Sequence, residues 1–313
     1  MLILIALRIA AAIPVIFVVA TVVFALLRFS PGDPATIMAG DAASPERIEQ
    51  LRAALGLDQP IYTQYSIWLE EMAKGNLGVS IQSKQSVLTL VLDRLEPTLV
   101  LAVCSIVLTV VIAVPLGTIA AWNHNRWVDR AVMALSVAGF SMPTFVTGYL
   151  LILAFAMWAD LLPVQGYVSP FQDLVGSIKH LVLPSLTLSC VLIALISRVT
   201  RSSVLDVLGE NFIKTALAKG SSGARILWRH ALPNAAIPII TVVGAAVALV
   251  ISGVVVTESV FNIPGLGRLT IDAILSRDYP VVQGLILLFA LFYVGINLVV
   301  DVLYIVVDPR IRY

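Results

Sequence analysis

The sequence predicts an all-α, polytopic membrane protein with six transmembrane helices and both termini in the cytoplasm. Three observations carry that reading. Hydrophobic residues make up 59% of the 313 and charged residues only 12%, whereas a soluble domain holds roughly 25% charged residues. Six apolar stretches recur at the length scale of a bilayer-crossing helix. The basic residues of the short connecting loops fall on one side of those stretches.

The first stretch, Ile9 to Leu27, is an unbroken apolar run. A cleaved signal peptide is the competing reading. The run is too long for one and ends in Leu27-Arg28-Phe29-Ser30-Pro31, without a small-x-small cleavage site. Pro14 is expected to kink this helix. From Ser30 to Glu96 the chain is polar and locally helical. Ser44-Pro45-Glu46 reads as a capped helix start with proline at its first position. Ile48, Leu51 and Leu55 follow on one face, and Gly56 stops the helix. Asp58 or Gln59 with Pro60 opens a second helix, whose stripe of Ile61, Tyr65, Trp68, Leu69 and Met72 runs up to Gly75. These stripes are expected to pack on the outer face of the membrane region.

Five further spans are expected at about Thr98–Ala121, Ala131–Ala159, Leu181–Ser197, Ile237–Thr257 and Val281–Val307. The third span carries Gly139-Phe-Ser-Met-Pro143, which is expected to bend or open it. The domain division is therefore 1–29 as the first transmembrane helix and 30–96 as an extracytoplasmic helical loop region. Residues 97–313 form a five-helix membrane domain with a cytoplasmic loop at 198–236.

Orientation follows from charge. Arg8, Arg126, Arg130, Arg310 and Arg312 share one side with Arg198, Arg201, Lys214, Lys219, Arg225 and Arg229. The short loops opposite hold only Lys179, Arg268 and Arg277. The excess of Lys and Arg marks the cytoplasm.

Within that cytoplasmic loop, Asn211 to Pro233 reads as two short helices with Gly220 between them. Asn211 can cap the first, and Gly220 suits the left-handed position that ends it. Ser221 or Ser222 can open the second, and Pro233 marks its end. Phe212, Ala216 and Leu217, then Ile226, Leu227 and His230, recur at helical spacing. A basic loop between spans and an apolar face for another protein both remain open on these residues.

Reactive chemistry is sparse. Net charge is +1, which argues against a nucleic-acid partner. Cys104 and Cys190 sit in apolar runs, and the three histidines have no paired spacing, so no metal site is expected. There is no HExxH, no GxSxG and no Walker A loop. Glu258 and Asp301 lie near span ends, leaving no mid-depth carboxylate of the kind that ion-coupled carriers use. A protein of this kind is passive or takes its energy from a partner. Ser136, Ser141, Thr144 and Thr147 of the third span either line a polar path or bond across helices. Trp122, Trp127 and Trp158 suit interface anchoring.

Gly220, followed by Leu232-Pro233 at its family spacing, resembles the cytoplasmic signature of ABC importer permeases, the glutamate-alanine-alanine loop. Lys214-Thr215-Ala216 stands at the Glu-Ala-Ala position and departs from it at two residues. Thr215-Ala216-Leu217-Ala218-Lys219-Gly220 with Arg229-His230-Ala231-Leu232 resembles the dipeptide/oligopeptide branch. So do Pro31-Gly-Asp-Pro34, the segment from Leu57-Asp-Gln-Pro60 through Gln64-Tyr65 to Asn76-Leu-Gly-Val-Ser80, Glu258-Ser-Val-Phe261, Pro264-Gly-Leu-Gly267 and Arg277-Asp-Tyr-Pro280. Together these segments cover nearly the whole chain.

The resemblance implies the type I importer architecture in a bacterial cytoplasmic (inner) membrane. It further implies a second homologous permease subunit, two ATP-binding subunits and an extracytoplasmic solute-binding protein. No cofactor is expected on this chain, which is not expected to be an enzyme; ATP and Mg belong to the partner ATPases. ATPase docking is expected at Phe212, Thr215, Ala216, Leu217, Lys219, Gly220, His230, Leu232 and Pro233. A gate or outer loop is expected around Glu258, Phe261, Pro264, Gly265 and Gly267. The expected cargo is a di- or oligopeptide. Glutathione, nickel or another small solute is the alternative, and a non-transporting membrane scaffold is a further one.

Overall fold

The computed structural model describes residues 2–29, 35–36, 44–54 and 56–307. The Pro31–Pro34 segment, Leu55, Arg310 and Arg312 lie outside them, as do the side chains of Arg8, Leu51 and Asp301. Among the described residues the chain is helical, with one isolated antiparallel bridge between Val79 and Ser86.

The helices, in order, are α1 (Leu2–Phe29), α2 (Pro45–Ala54), α3 (Ile61–Ala73), α4 (Val87–Trp122), α5 (Trp127–Ser141) and α6 (Thr144–Trp158). They continue with α7 (Leu174–Leu208), α8 (Asn211–Ala218), α9 (the consecutive pieces Gly223–Arg225, Ile226–Ala231 and Leu232–Asn234), α10 (Ala236–Val260), α11 (Leu266–Leu275) and α12 (Tyr279–Val307). Among the described residues four of them, α4, α7, α10 and α12, are long and apolar enough to cross a membrane. The pair α5–α6 meets the same measure only when its two helices, bent by 107°, are taken together, the geometry of a broken span or a re-entrant loop. Helix α1 is apolar across its described stretch Ala10–Ala25.

The bend sits at the predicted place. Met142 is extended (φ −89°, ψ 127°) because the ring of Pro143 excludes the helical region for the residue before it. Helix α7 corrects a sequence expectation: the span drawn at Leu181–Ser197 is a 35-residue helix. Polar Ser177, Lys179 and His180 at one end and Arg198 to Arg201 at the other do not end it. Hydropathy marks only the membrane-immersed part, whereas the helix continues wherever packing supports it.

Contacts divide the chain into two compact units, residues 1–93 with 269–294 and residues 94–268 with 295–313. In the first unit α3 packs on α1 through Phe17, Phe24, Tyr65 and Trp68. The Phe24 and Tyr65 rings meet edge-on at 5.1 Å, and the hydroxyls of Thr21 and Tyr65 lie 2.6 Å apart. Pro60, not Asp58 or Gln59, occupies the N-cap of α3, with no side-chain cap. Gly75 (φ +81°) ends this helix with paired bonds from Gly75 N–H to the Met72 carbonyl and Asn76 N–H to the Glu71 carbonyl.

The second unit has two apolar clusters. One joins Leu101, Leu188, Leu192, Ile196, Val250, Val254 and Phe261. The other lies under α8 and α9 and is formed by Ala121, Val204, Ile213, Ile226, Leu227, Ala231 and Ile239.

Candidate functional site

The α8–turn–α9 hairpin is built on the second cluster. Glu210, not Asn211, is the N-cap of α8, and it makes no side-chain cap bond. Asn211 is already helical, so its carbonyl accepts from the Thr215 hydroxyl. The helix ends in a paired closure, Gly220 N–H to the Leu217 carbonyl at 2.9 Å and Ser221 N–H to the Ala216 carbonyl at 3.1 Å. This closure needs a left-handed residue at position 220, and Gly220 supplies it at φ +80°. Ser222 then takes the N-cap position of α9, without a side-chain cap bond. Helical turns run through Pro233 to Asn234, so the proline lies inside the end of α9 rather than marking it. Because Pro233 cannot donate to the Arg229 carbonyl and its ring crowds that group, the preceding turns widen to π spacing over Ile226–Ala231.

The apolar side of the hairpin is split. Ile213, Ile226, Leu227 and Ala231 are buried in one cluster with Ala121 of α4, Val204 of α7 and Ile239 of α10, with Ala216 and Leu232 half-buried beside them. Phe212 (43%), Leu217 (52%) and Trp228 (45%) stay exposed. Thr215, Lys219, Gly220 and Pro233 are also exposed, and His230 is half-buried. All nine residues of the expected docking set therefore lie on one hairpin. Ile213 and Trp228 were absent from that set. Helical periodicity identifies an apolar side but not how a helix is rotated on its neighbours.

At the other end of α10, Glu258 is 0% exposed. Its carboxylate accepts from the Thr98 hydroxyl at 2.6 Å, from Arg268 N–H at 3.0 Å and from Gly267 N–H. Thr98 Oγ1 in turn accepts from Leu266 N–H at 2.8 Å. The pair thus satisfies the orphan donors that open α11 and places a carboxylate at a helix N-terminus. Gly265 and Gly267 leave the room: an added Cβ at 265 would overlap the carboxylate, and one at 267 would meet the Val255 backbone. Phe261 is buried and its carbonyl accepts from Gly166 N–H at 3.0 Å, while Pro264 is exposed. Tyr167 donates to Glu96 at 2.9 Å; burial first, and then that carboxylate, raise the phenol above its usual range. Thr98 was not singled out from sequence. It lies 160 positions from Glu258, and no local pattern links them.

In the first unit two further motif segments meet. Asp278, buried, accepts at Oδ1 from Ile81 N–H (3.0 Å) and at Oδ2 from Gln82 N–H (3.2 Å) and the Ser80 hydroxyl. An added Cβ on Gly78 would touch Pro280 at 3.6 Å. Among the third-span hydroxyls, Ser136 donates back to the Val132 carbonyl at 2.8 Å and lies 3.0 Å from the Ser197 hydroxyl across the seam, and Ser141 and Thr147 bond back to the Val137 and Pro143 carbonyls.

The chain as a whole is similar to known proteins. The pattern of the binding-protein-dependent transport system inner membrane component matches residues 113–313, and its N-terminal companion matches residues 1–102. The chain belongs to that family. A "Probable peptide ABC transporter permease protein" of Sinorhizobium fredii is 46% identical to this permease, across 98% of each chain. A glutathione transport system permease protein of Escherichia coli K12 is 42% identical, across 98% of this chain and 97% of its own. A chain of the MetNI methionine ABC transporter, solved in inward-facing form, shares the fold at TM-score 0.60 and 16% identity. It covers 70% of the permease and 96% of that chain. The permease is thus a multi-pass protein of the bacterial cytoplasmic membrane with the type I ABC importer fold.

Proposed function

We propose that the permease forms half of a peptide translocation pathway and receives its driving force through the α8–turn–α9 hairpin. In this reading the chain crosses the membrane six times, with both termini and the hairpin in the cytoplasm. Its partners are a second homologous permease, two ATP-binding subunits that carry ATP and Mg, and an extracytoplasmic solute-binding protein. The peptide class is supported by relatives named for peptide and glutathione transport at 46% and 42% identity over nearly the full chain.

The observation that carries the docking role is the outward exposure of Phe212, Leu217 and Trp228 on a hairpin whose other side is already packed. Helices with apolar anchors left over after self-packing suit insertion into a partner groove. The basic residues around the hairpin then act mainly as topology signals.

Gly220 gives the test, because an added Cβ there meets nothing within 4 Å. Gly220→Ala introduces only the backbone strain of a left-handed L-residue, roughly 1–2 kcal/mol. Gly220→Trp carries the same strain and adds an indole at an exposed turn. Uptake in the assembled system and co-purification of the ATPase subunits are expected to survive in Ala and to be lost in Trp, with membrane insertion intact in both. Equal co-purification of Trp and wild type would refute docking at this turn.

A further inference from the structure

A cluster of charge centred on Arg201, ten residues before the start of α8, takes no part in the surfaces above. Asp129, in the first turn of α5, is buried. Arg201 of α7 grips both its oxygens, Nη2 to Oδ2 at 2.7 Å and Nε to Oδ1. Asn125 N–H donates to Oδ2 at 2.9 Å, and Asn125 holds the left-handed conformation (φ +63°) that turns the α4–α5 loop onto the carboxylate. His124 Nδ1 lies 3.1 Å from Arg201 Nη2 and 3.4 Å from Asp129 Oδ2. A planar guanidinium on two carboxylate oxygens fixes orientation as well as distance.

The pair closes one end of a continuous antiparallel seam. Ser136 meets Ser197, and an added Cβ on Gly139 would lie 3.3 Å from the Cys190 carbonyl. Asp129, Ser136 and Gly139 therefore share one face of α5 and descend against Arg201, Ser197 and Cys190 of α7. At the same level Gly117 of α4 admits α7 at backbone contact, because its Cβ would collide with the Ser197 carbonyl and Thr200. Three residues beyond Arg201, Val204 belongs to the cluster that holds Ile213 and Ile226 of the hairpin.

We infer that Asp129 and Arg201 are positioning residues for energy coupling: they clamp α5 to α7 so that α5 moves as one body with the hairpin. The inference rests on the proposed docking role of that hairpin. Packing along a seam of small residues transmits a push; the two-oxygen charge pair at the hairpin end, with the Ser136–Ser197 bond further along, also transmits a pull. Bistable packed elements carry coupling of this kind between distant sites.

The test uses the transporter assembled with its partner permease, ATPase subunits and binding protein. Spin labels replace exposed Arg130 on α5 and Lys214 on α8, with Cys104 and Cys190 changed to Ala. On adding ATP and Mg the label-to-label distance is expected to stay constant in the otherwise unaltered protein. In Asp129→Asn it is expected to shift, while uptake of a radiolabelled tripeptide per ATP hydrolysed falls about tenfold. The exchange Asp129→Arg with Arg201→Asp is expected to restore both readouts toward the parent. A distance as constant in Asp129→Asn as in the parent would overturn the clamp. So would loss of assembly in both Asp129→Asn and the exchange variant, which would make the pair a stability element only. Failure of the docking reading looks different: the ATPase subunits would co-purify with Gly220→Trp whatever the state of Asp129.

Discussion

Glu258 and Gly267 show how much one position can hold at the residue scale. A buried carboxylate that accepts two backbone N–H groups and a hydroxyl is a satisfied polar group, and removing it strands its donors. Glu258→Ala is expected to cost about 1–3 kcal/mol, read as a lower midpoint of thermal unfolding in detergent, with Glu258→Gln losing less because one oxygen remains. Gly267→Ala acts by a different route. Its Cβ would lie 2.5 Å from Val255 Cα, and backbone cannot yield as a side-chain tip can. Overpacking of this kind costs about 1–3 kcal/mol, so the same melting experiment should place Gly267→Ala beside Glu258→Ala. A wild-type midpoint for either variant would dismiss this account of the α11 start.

The helix-opening role of Glu258 was legible in part. The sequence places Glu258 near the end of an apolar span and groups it with Pro264, Gly265 and Gly267 in one expected gate or outer loop. The sequence pointed to the right residue but not to Thr98, because the cap closes through a helix that lies far away in the chain.

At the scale of elements, the Asp278 clasp joins the start of α12 to the Ser80–Gln85 turn. Three donors converge on this buried carboxylate, and the turn also holds itself through Ser80 N–H to the Gln85 carbonyl at 2.9 Å. Lys84 stands exposed within the turn at φ +59°. Without the carboxylate the turn keeps its local bonds and a single amide contact from Gln82 to the Ser276 carbonyl, so Asp278→Ala should be cleaved by trypsin after Lys84 faster than wild type. Asp278→Asn keeps one acceptor oxygen and should fall between. Cleavage at the wild-type rate in Asp278→Ala would show that the local bonds suffice. The same logic explains the α5–α6 break. Pro143 removes a donor and restricts Met142, and the neighbouring Gly148 lets the next helix approach Thr187, Val260 and Phe261 closely.

For the molecule as a whole, membership in the inner-membrane component family makes the permease one part of a transport system. The purified chain is expected to hydrolyse no ATP. Uptake in vesicles should require the partner permease, the ATPase subunits and the binding protein, and should persist when the proton gradient is collapsed with an uncoupler. Solute accumulation by the chain alone, driven by an ion gradient, would contradict the proposed mechanism.

Sequence alone set the membrane class and the apolar segments through composition and hydropathy, and the site of the α5–α6 break through Pro143. These follow from transfer free energy and from proline's geometry, both properties of short stretches of chain. Left-handed Gly220 was likewise written locally, since the turn that closes α8 requires φ above zero. Tertiary structure alone decided the rest. It set how far α7 extends beyond its apolar run, and turned Ile226 and Leu227 inward while leaving Phe212, Leu217 and Trp228 outside. It also chose the partners of Glu258, Asp278 and Asp129, which lie 160, 198 and 72 positions away for Thr98, Ser80 and Arg201. Periodicity encodes that a helix has an apolar side; only the packing of separate helices fixes which way that side turns and which buried charge meets which donor.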